Sequence, residues 1–296
     1  MKQAFSFLLF FPLLLIPSAC KKSEIEIQGH RGCRGYWPEN SIYGMLEAIK
    51  QGVDVLEMDV VVSKDLEIVL SHEPFFHHEI CLDPNGNLIY ESTQEAYNIY
   101  EFTYEQIRNT RCGTFPHPRF PLQKQKSYYK PTLSEVIDTV EKVSKHLNKL
   151  IRYNIEIKAR DEWNGIFHPD YRAFADLVAG VIYRHGITEI TTVQSFHIPT
   201  LQYLHHAHPS LKLVLLVDED EDLAKKYKQL GFTPDVLSPH YSHVSVPWIK
   251  FAESRGMKLI TWTVNDAETA IKLVNMGVHG IITDYPDSIH KAVKNK

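Results

Sequence analysis

Short apolar runs alternate with amphipathic ones along nearly the whole chain. The strand-like runs fall at 25–30, 53–62, 151–157, 190–194, 212–217, 235–238, 258–264 and 279–283. Stretches with apolar residues at helical spacing follow at 41–51, 132–147, 170–185, 198–207, 220–229, 246–255, 266–276 and 287–294. Strand then helix, eight times over, with little chain left for a second core, predicts an α/β fold of the (β/α)8 TIM-barrel type. An open doubly wound sheet is the competing arrangement. In both, ligands collect at the carboxyl ends of the parallel strands.

One connection breaks the rhythm. An insertion of about 60 residues, 73–131, separates the second strand and its ribbon from the helix opening near Thr132. A ribbon-like run, Leu66 to His72, comes first; Asp83-Pro84-Asn85-Gly86-Asn87 then marks a turn, and a Pro-, His- and aromatic-rich tract runs to Tyr129. Loops this long are commonly lids or binding loops, and one that follows a strand lies on the ligand face. Within it, Lys124 to Lys130 is a local basic patch, expected as a solvated loop.

The first twenty residues are a different material. Met1-Lys2-Gln3 is a basic start, and Ala4 to Pro17 is almost wholly apolar but too short to span a bilayer comfortably. This is a signal h-region. It ends in Pro17-Ser18-Ala19-Cys20, similar to a bacterial lipoprotein signal, in which Cys20 becomes the lipidated first residue. The expectation is an exported chain tethered to a membrane from the outside; ordinary signal cleavage is the alternative. With 44% apolar and 23% charged residues the rest can build a sizeable core, and a net charge of −4 gives no support for nucleic-acid binding. Cys33, Cys81 and Cys112 remain. Export permits disulfides, and Cys81 and Cys112 share the insertion, so pairing and free thiols both stay open; Cys33 is expected as a small space-filler.

The chemistry gathers at strand ends. The first strand runs into Gln28-Gly29-His30-Arg31-Gly32, and Ser41 opens the next helix. In the second strand Glu57 and Asp59 interrupt an apolar run two residues apart, which puts them on one face. Glu156 and Lys158 do the same in the third. Carboxylates brought this close repel unless protons or a cation neutralise them. Oxygen ligands without a cysteine cluster favour Mg²⁺ or Ca²⁺ over Zn²⁺. Arg31 offers a planar fork and Lys158 a point charge to an anion. Trp262, at a barrel mouth, would be an apolar wall, and Gln194 a part of the polar rim. His77-His78 and His205-His206 with His208 have no ligand spacing and are expected at the surface.

In order along the chain, His30-Arg31-Gly32, Pro38-Glu39-Asn40, Glu57-x-Asp59, Ser71-His72-Glu73-Pro74, Asn154-Ile155-Glu156-Ile157-Lys158, Gln194-Ser195-Phe196, Trp262-Thr263-Val264-Asn265 and Thr283-Asp284-Tyr285-Pro286 resemble the motifs of the glycerophosphodiester phosphodiesterase family, over roughly 25–292. The resemblance implies hydrolysis of a small-molecule glycerophosphodiester to glycerol 3-phosphate and an alcohol. It also implies one divalent cation on Glu57, Asp59 and Glu156, acid–base work by His30 and His72, and substrate contacts from Arg31, Lys158, Trp262 and Gln194. Many members carry His-Asp where this chain has His72-Glu73. Glu39 and Asn40 are expected first as helix-start residues beside Ser41, and Asp284 and Pro286 as closing the last turn without touching substrate. A phospholipase D-like or phosphoinositide-type activity on lysolipids, and a non-catalytic binding lipoprotein, are the alternatives. Head-group choice and oligomeric state are not legible.

Overall fold

Each of the eight strand-like runs forms a strand in the computed structural model, which describes residues 25–294. The signal-like segment and Cys20 lie outside the described residues. In chain order the elements are β1 (Glu26–Gly29), α1 (Ile42–Lys50), β2 (Val55–Val62), β3 (Ile68–Leu70), α2 (Tyr104–Asn109), α3 (Leu133–Leu147), β4 (Arg152–Ile157), α4 (Tyr171–His185) and β5 (Thr191–Ser195). Then come α5 (Ile198–Ala207), β6 (Lys212–Val217), α6 (Leu223–Leu230), β7 (Val236–Pro239), α7 (Val246–Glu253), β8 (Lys258–Thr261), α8 (Ala267–Met276), β9 (Gly280–Thr283) and α9 (Pro286–Lys294). β1 pairs in parallel with both β2 and β9, so eight parallel strands close into a barrel; β3 lies antiparallel outside it on β2. The open-sheet alternative is thereby excluded.

The closed ring has two interiors. Between strands and helices, Leu56, Met58 and Val60 of β2 pack with Ile137, Phe174 and their neighbours in the main apolar core. Emptying one such site, Met58→Ala for instance, costs about 2–5 kcal/mol. Inside the ring, Val214, Val236, Ile260 and Ile282 line one side, and buried Gln28, Glu57, Asn154 and Gln194 line the other. This polar half carries Glu57 toward the carboxyl ends of the strands.

Two element boundaries differ from expectation for local reasons. The helix expected from 220 starts at Leu223 because the Asp222 side chain caps it, accepting from Lys225 N at 2.9 Å. The strand expected to reach 264 stops at Thr261; Trp262 makes only an isolated bridge with His240, and its indole N–H donates to the Ser238 carbonyl at 2.9 Å.

The insertion folds on its own small core of Phe76, Ile80, Ile99, Ile107 and Tyr128, packed on Val61 and Val69 of the ribbon. Cys81 and Cys112 are bonded within it, and Cys33 is buried and free. The short helix α2, stabilised by a capping box of Thr103 and Gln106, was not expected. The basic patch is corrected too. Lys130 is not solvated: it is buried and donates to Ser71 Oγ at 2.8 Å. Lys124 and Lys126 lie over the rings of Trp37 and Tyr43. His77 and His78 are half-buried rather than superficial, whereas His205 and His206 are exposed. Among the described residues no helix is long and apolar enough to cross a membrane.

Candidate active site

At the carboxyl ends of the strands a cavity of about 690 Å³ is lined by His30, Arg31, Glu57, His72, Glu156, Lys158, Gln194 and Trp262, among others. The structure therefore gathers the expected polar residues around one mouth. Arg119 brings the insertion into its wall.

β2 and β4 are neighbours in register, with Asp59 opposite Glu156 and Glu57 opposite Asn154. Inward-facing positions on the two strands thus converge, and Glu57, Asp59 and Glu156 each bring an oxygen within 4.8 Å of the others. All three are buried. Burial, then the charges of Asp59 and Glu156, push the Glu57 carboxyl well above the ordinary range. Burial likewise lifts Glu156 to about 7, against the pull of Lys158 and with the push of Asp59. Burial would raise Asp59 as well, but Arg31, His72 and Lys158 outweigh it and hold this group ionised far below the usual range.

Their hydrogen bonds show which lone pairs remain. Glu57 accepts from Gln194 Nε2 at 2.8 Å on Oε1 and from the Arg31 backbone N–H at 2.8 Å on Oε2. Asp59 accepts from Asn40 Nδ2 at 2.8 Å on Oδ2, while its buried Oδ1 has no hydrogen-bond partner. Glu156 accepts from Lys158 Nζ at 2.7 Å. An orphaned, buried carboxylate oxygen within an all-oxygen set fits a hard divalent cation.

Both expected histidines are backed by carboxylates. His30 Nδ1 lies 2.7 Å from Asp284 Oδ1, and His72 Nδ1 lies 2.6 Å from Glu73 Oε1. A carboxylate only accepts, so each Nδ1 carries a proton and Nε2 becomes the proton-exchanging nitrogen. Burial, then the Arg34 charge, lowers His30 to about 4. Burial, Arg31 and Lys158 lower His72. Both imidazoles rest neutral at pH 7. Glu73 thus stands where many family members have Asp, and its longer arm still reaches the ring.

Two expectations are corrected. Asp284 does more than close a turn: besides His30 it accepts from Arg34 Nε at 2.8 Å and Asn265 Nδ2 at 2.7 Å. Pro286 opens α9 and stays structural. Helix-start duty belongs to Ser41, whose Oγ accepts from Gly44 N. Glu39 and Asn40 instead face the site. Glu39 accepts from Arg31 at 2.9 Å, and Asn40 clasps Asp59, its Oδ1 accepting from Asp59 N at 3.1 Å. Arg31 and Asn40 adopt left-handed backbone, φ 51° and 49°, a conformation that aims these groups at the carboxylates.

The expected phosphate grips are already engaged. Arg31 is buried against Glu39 and Asp59, its Nε 3.2 Å from Asp59 Oδ2. Gln194 lines the cavity as expected, is itself buried, and donates to Glu57. Trp262 faces the cavity edge-on to Phe196, ring centroids 5.5 Å apart. Arg34 and Asn265, without an expected role although Asn265 stands in the Trp262-Thr263-Val264-Asn265 motif, complete the Asp284 cluster.

The sequence model of the Glycerophosphoryl diester phosphodiesterase family matches residues 30–288. The chain is 26% identical to a glycerophosphodiester phosphodiesterase of Bacillus subtilis (strain 168), covering 90% of this chain and 85% of that one. It is also 26% identical to a glycerophosphodiester phosphodiesterase of Caldanaerobacter subterraneus subsp. tengcongensis, covering 90% and 96%. Among solved structures, an Oleispira antarctica phosphodiesterase in complex with the product sn-glycerol-3-phosphate superposes with a TM-score of 0.71 at 21% identity, covering 91% and 96%.

Proposed function

From the premise that the chain belongs to the glycerophosphoryl diester phosphodiesterase family, we propose that it hydrolyses glycerophosphodiesters to glycerol 3-phosphate and an alcohol with one divalent cation. The observation that carries this is two carboxylate-backed imidazoles lining the same cavity as Glu57 and Glu156 of a three-carboxylate cluster. Glu57, Asp59 and Glu156 would hold Mg²⁺ or Ca²⁺. Once bound, such a cation supplies Lewis-acid polarisation of the phosphate and neutralises charge that develops on it.

The chain's own groups do the rest. One neutral imidazole takes a proton at Nε2 from the attacking oxygen. The other, its proton affinity raised by the arriving anion, takes a proton from solvent at Nε2 and delivers it to the leaving alkoxide. Asp284 and Glu73 hold both rings in the required tautomer. Arg31 and Lys158 turn their remaining N–H groups to the phosphate, and Trp262 with Phe196 walls off the carbon face of a glycerol unit. Attack by water, or first by the glycerol hydroxyl through a cyclic phosphate, satisfies the same geometry.

Lipidation at Cys20 and export remain part of the proposal, supported by the signal-like first twenty residues and by the Cys81–Cys112 bond, which suits an oxidising compartment. The test is a panel of glycerophosphocholine, glycerophosphoethanolamine and lysophosphatidylcholine, each with Mg²⁺, Ca²⁺ or chelator. The expected result is release of glycerol 3-phosphate that stops with chelator and returns with cation. No release from any diester overturns the reading, and preferred cleavage of lysophosphatidylcholine moves it to the lipid alternative.

A further inference from the structure

A file of side-chain hydrogen bonds runs through the polar half of the barrel, from the amino-terminal face up to the carboxylate cluster. Glu26 is at its foot, its Oε2 2.6 Å from Arg152 and 3.4 Å from Lys258. Gln28 Nε2 donates to Glu26 Oε1 at 2.7 Å. Asn154 Nδ2 donates twice, to Gln28 Oε1 and to Gln194 Oε1, each at 2.9 Å. Gln194 Nε2 donates to Glu57 Oε1 at 2.8 Å. Gln28, Asn154 and Gln194 are all buried, and Gln28 and Asn154 face a cavity of about 330 Å³ at the base of the barrel.

The directions in this file are not interchangeable. An amide has a donor end and an acceptor end, and a carboxylate only accepts. Glu26 therefore fixes Gln28 with its NH₂ downward and its oxygen toward Asn154. Gln28 Oε1 then requires a donor, which fixes the facing end of Asn154 as its NH₂ and leaves its oxygen beside Thr192 Oγ1, 2.9 Å away. Both N–H bonds of Asn154 then face glutamine oxygens. Gln194 has its oxygen committed below and must present its NH₂ above, to Glu57.

We propose that Gln28, Asn154 and Gln194 form a polarity-locked amide file that positions Glu57 for the cation. This rests on the function proposed above and extends it from Gln194, at the cavity, to Asn154 and Gln28 below it. Glu57 is gripped on Oε1 by the file and on Oε2 by the Arg31 backbone N–H. Its carboxylate plane is set from both sides, and its outer lone pairs turn toward Asp59 and Glu156. The Asn154 side chain hydrogen-bonds to Gln28, Gln194 and Thr192 and to none of the three carboxylates, yet it decides which end of Gln194 meets Glu57. These are positioning residues, and outer-shell partners of this kind typically change cation affinity by roughly tenfold to a hundredfold.

The experiment is a double-mutant cycle read by direct Mn²⁺ titration of the purified protein, with kcat followed as a function of cation concentration. Asn154→Asp replaces the double donor by acceptors, turns Gln194 over and sets its oxygen against Glu57 Oε1. It is expected to weaken Mn²⁺ binding about tenfold or more, with kcat recovering at saturating cation. Gln194→Met, which neither donates nor accepts at nitrogen, is expected to do the same. Asn154→Asp added to Gln194→Met is expected to weaken binding no further. Additive losses, or unchanged Mn²⁺ affinity in Asn154→Asp, overturn the file. Should the buried Asp prevent folding, Asn154→Leu removes the donors without a charge and enters the same cycle. A wild-type chain that binds no Mn²⁺ refutes the cation reading itself, a result distinct from either.

Discussion

Asp284→Asn is the sharpest single perturbation of the site, because it keeps the shape and removes only the charge and one acceptor. Four side-chain donors from three residues converge on Asp284: His30 Nδ1 and Arg34 Nε on Oδ1, and Asn265 Nδ2 and, at 3.4 Å, Arg34 Nη2 on Oδ2. An amide can face only one of these sides with its oxygen. With oxygen toward His30, the NH₂ opposes the NH₂ of Asn265. Asn265 cannot turn over freely, because its oxygen already accepts the Asp284 backbone N–H at 2.9 Å. With NH₂ toward His30, the ring is driven to the wrong tautomer and Arg34 loses its nearest counter-charge, leaving Glu39 at 3.7 Å. Breaking a buried ion pair from one side costs about 3–5 kcal/mol, which lowers Tm by about 10 °C for a chain of this size. Loss of the orienting carboxylate of a catalytic imidazole lowers kcat by roughly 10²–10⁴. KM and cation affinity are expected to change little, since Asp284 belongs neither to the carboxylate cluster nor to the cavity wall. Steady-state kinetics on a glycerophosphodiester at saturating cation, beside a melting curve, reads both effects. A folded Asp284→Asn protein with kcat within about threefold of wild type would refute an oriented His30.

Cation binding should stabilise as well as activate: at a hundred times its Kd, Mg²⁺ or Ca²⁺ is expected to add about 2.7 kcal/mol, and a melting curve indifferent to chelator contradicts the site. Acid should destabilise the cation-free protein through His30, which titrates at about 4 when folded against an ordinary 6.5. The unfolded chain then holds a proton that the folded one refuses, so this contribution, up to about 3 kcal/mol, is complete above 6.5 and vanishes as pH falls to 4. Urea titrations at pH 7 and 5 should show that slope shrinking in His30→Gln, and an unchanged slope disproves it. Cys81→Ser with Cys112→Ser opens a loop with sequence separation 31 and should cost about 2–4 kcal/mol, seen as earlier proteolysis of the insertion than of the barrel; simultaneous cleavage of both would deny the insertion a core of its own.

The barrel could be read from the chain because each stave is a buried run with its own period, and each helix a stripe set by residues three and four apart. Glu57, Asp59 and Glu156 were visible for the same reason: carboxylates interrupting apolar strands at one parity. What escaped was set by ring closure. His30 and Asp284 are 254 residues apart and meet only because β1 pairs with β9. Nothing local to Thr283-Asp284-Tyr285 announces a partner at the other end of the chain. Asn40 misled in the opposite direction, since a polar residue before a helix resembles a cap, and its left-handed backbone, which sends the amide to Asp59, has no signature in composition. Lys130 looked solvated because its neighbours are basic, whereas the ribbon folds over it.

β1 enters the ring at the pole opposite the carboxylates, and Ile25, just ahead of it, is already packed there. Only Lys21 to Glu24 stand between that point and Cys20 in the sequence, which limits the separation to about 17 Å. An acyl chain on Cys20 would hold the molecule by its base, with the mouth turned to the surrounding fluid. An enzyme moored in this attitude meets dissolved diesters drifting past more readily than phospholipids seated in the bilayer beneath it.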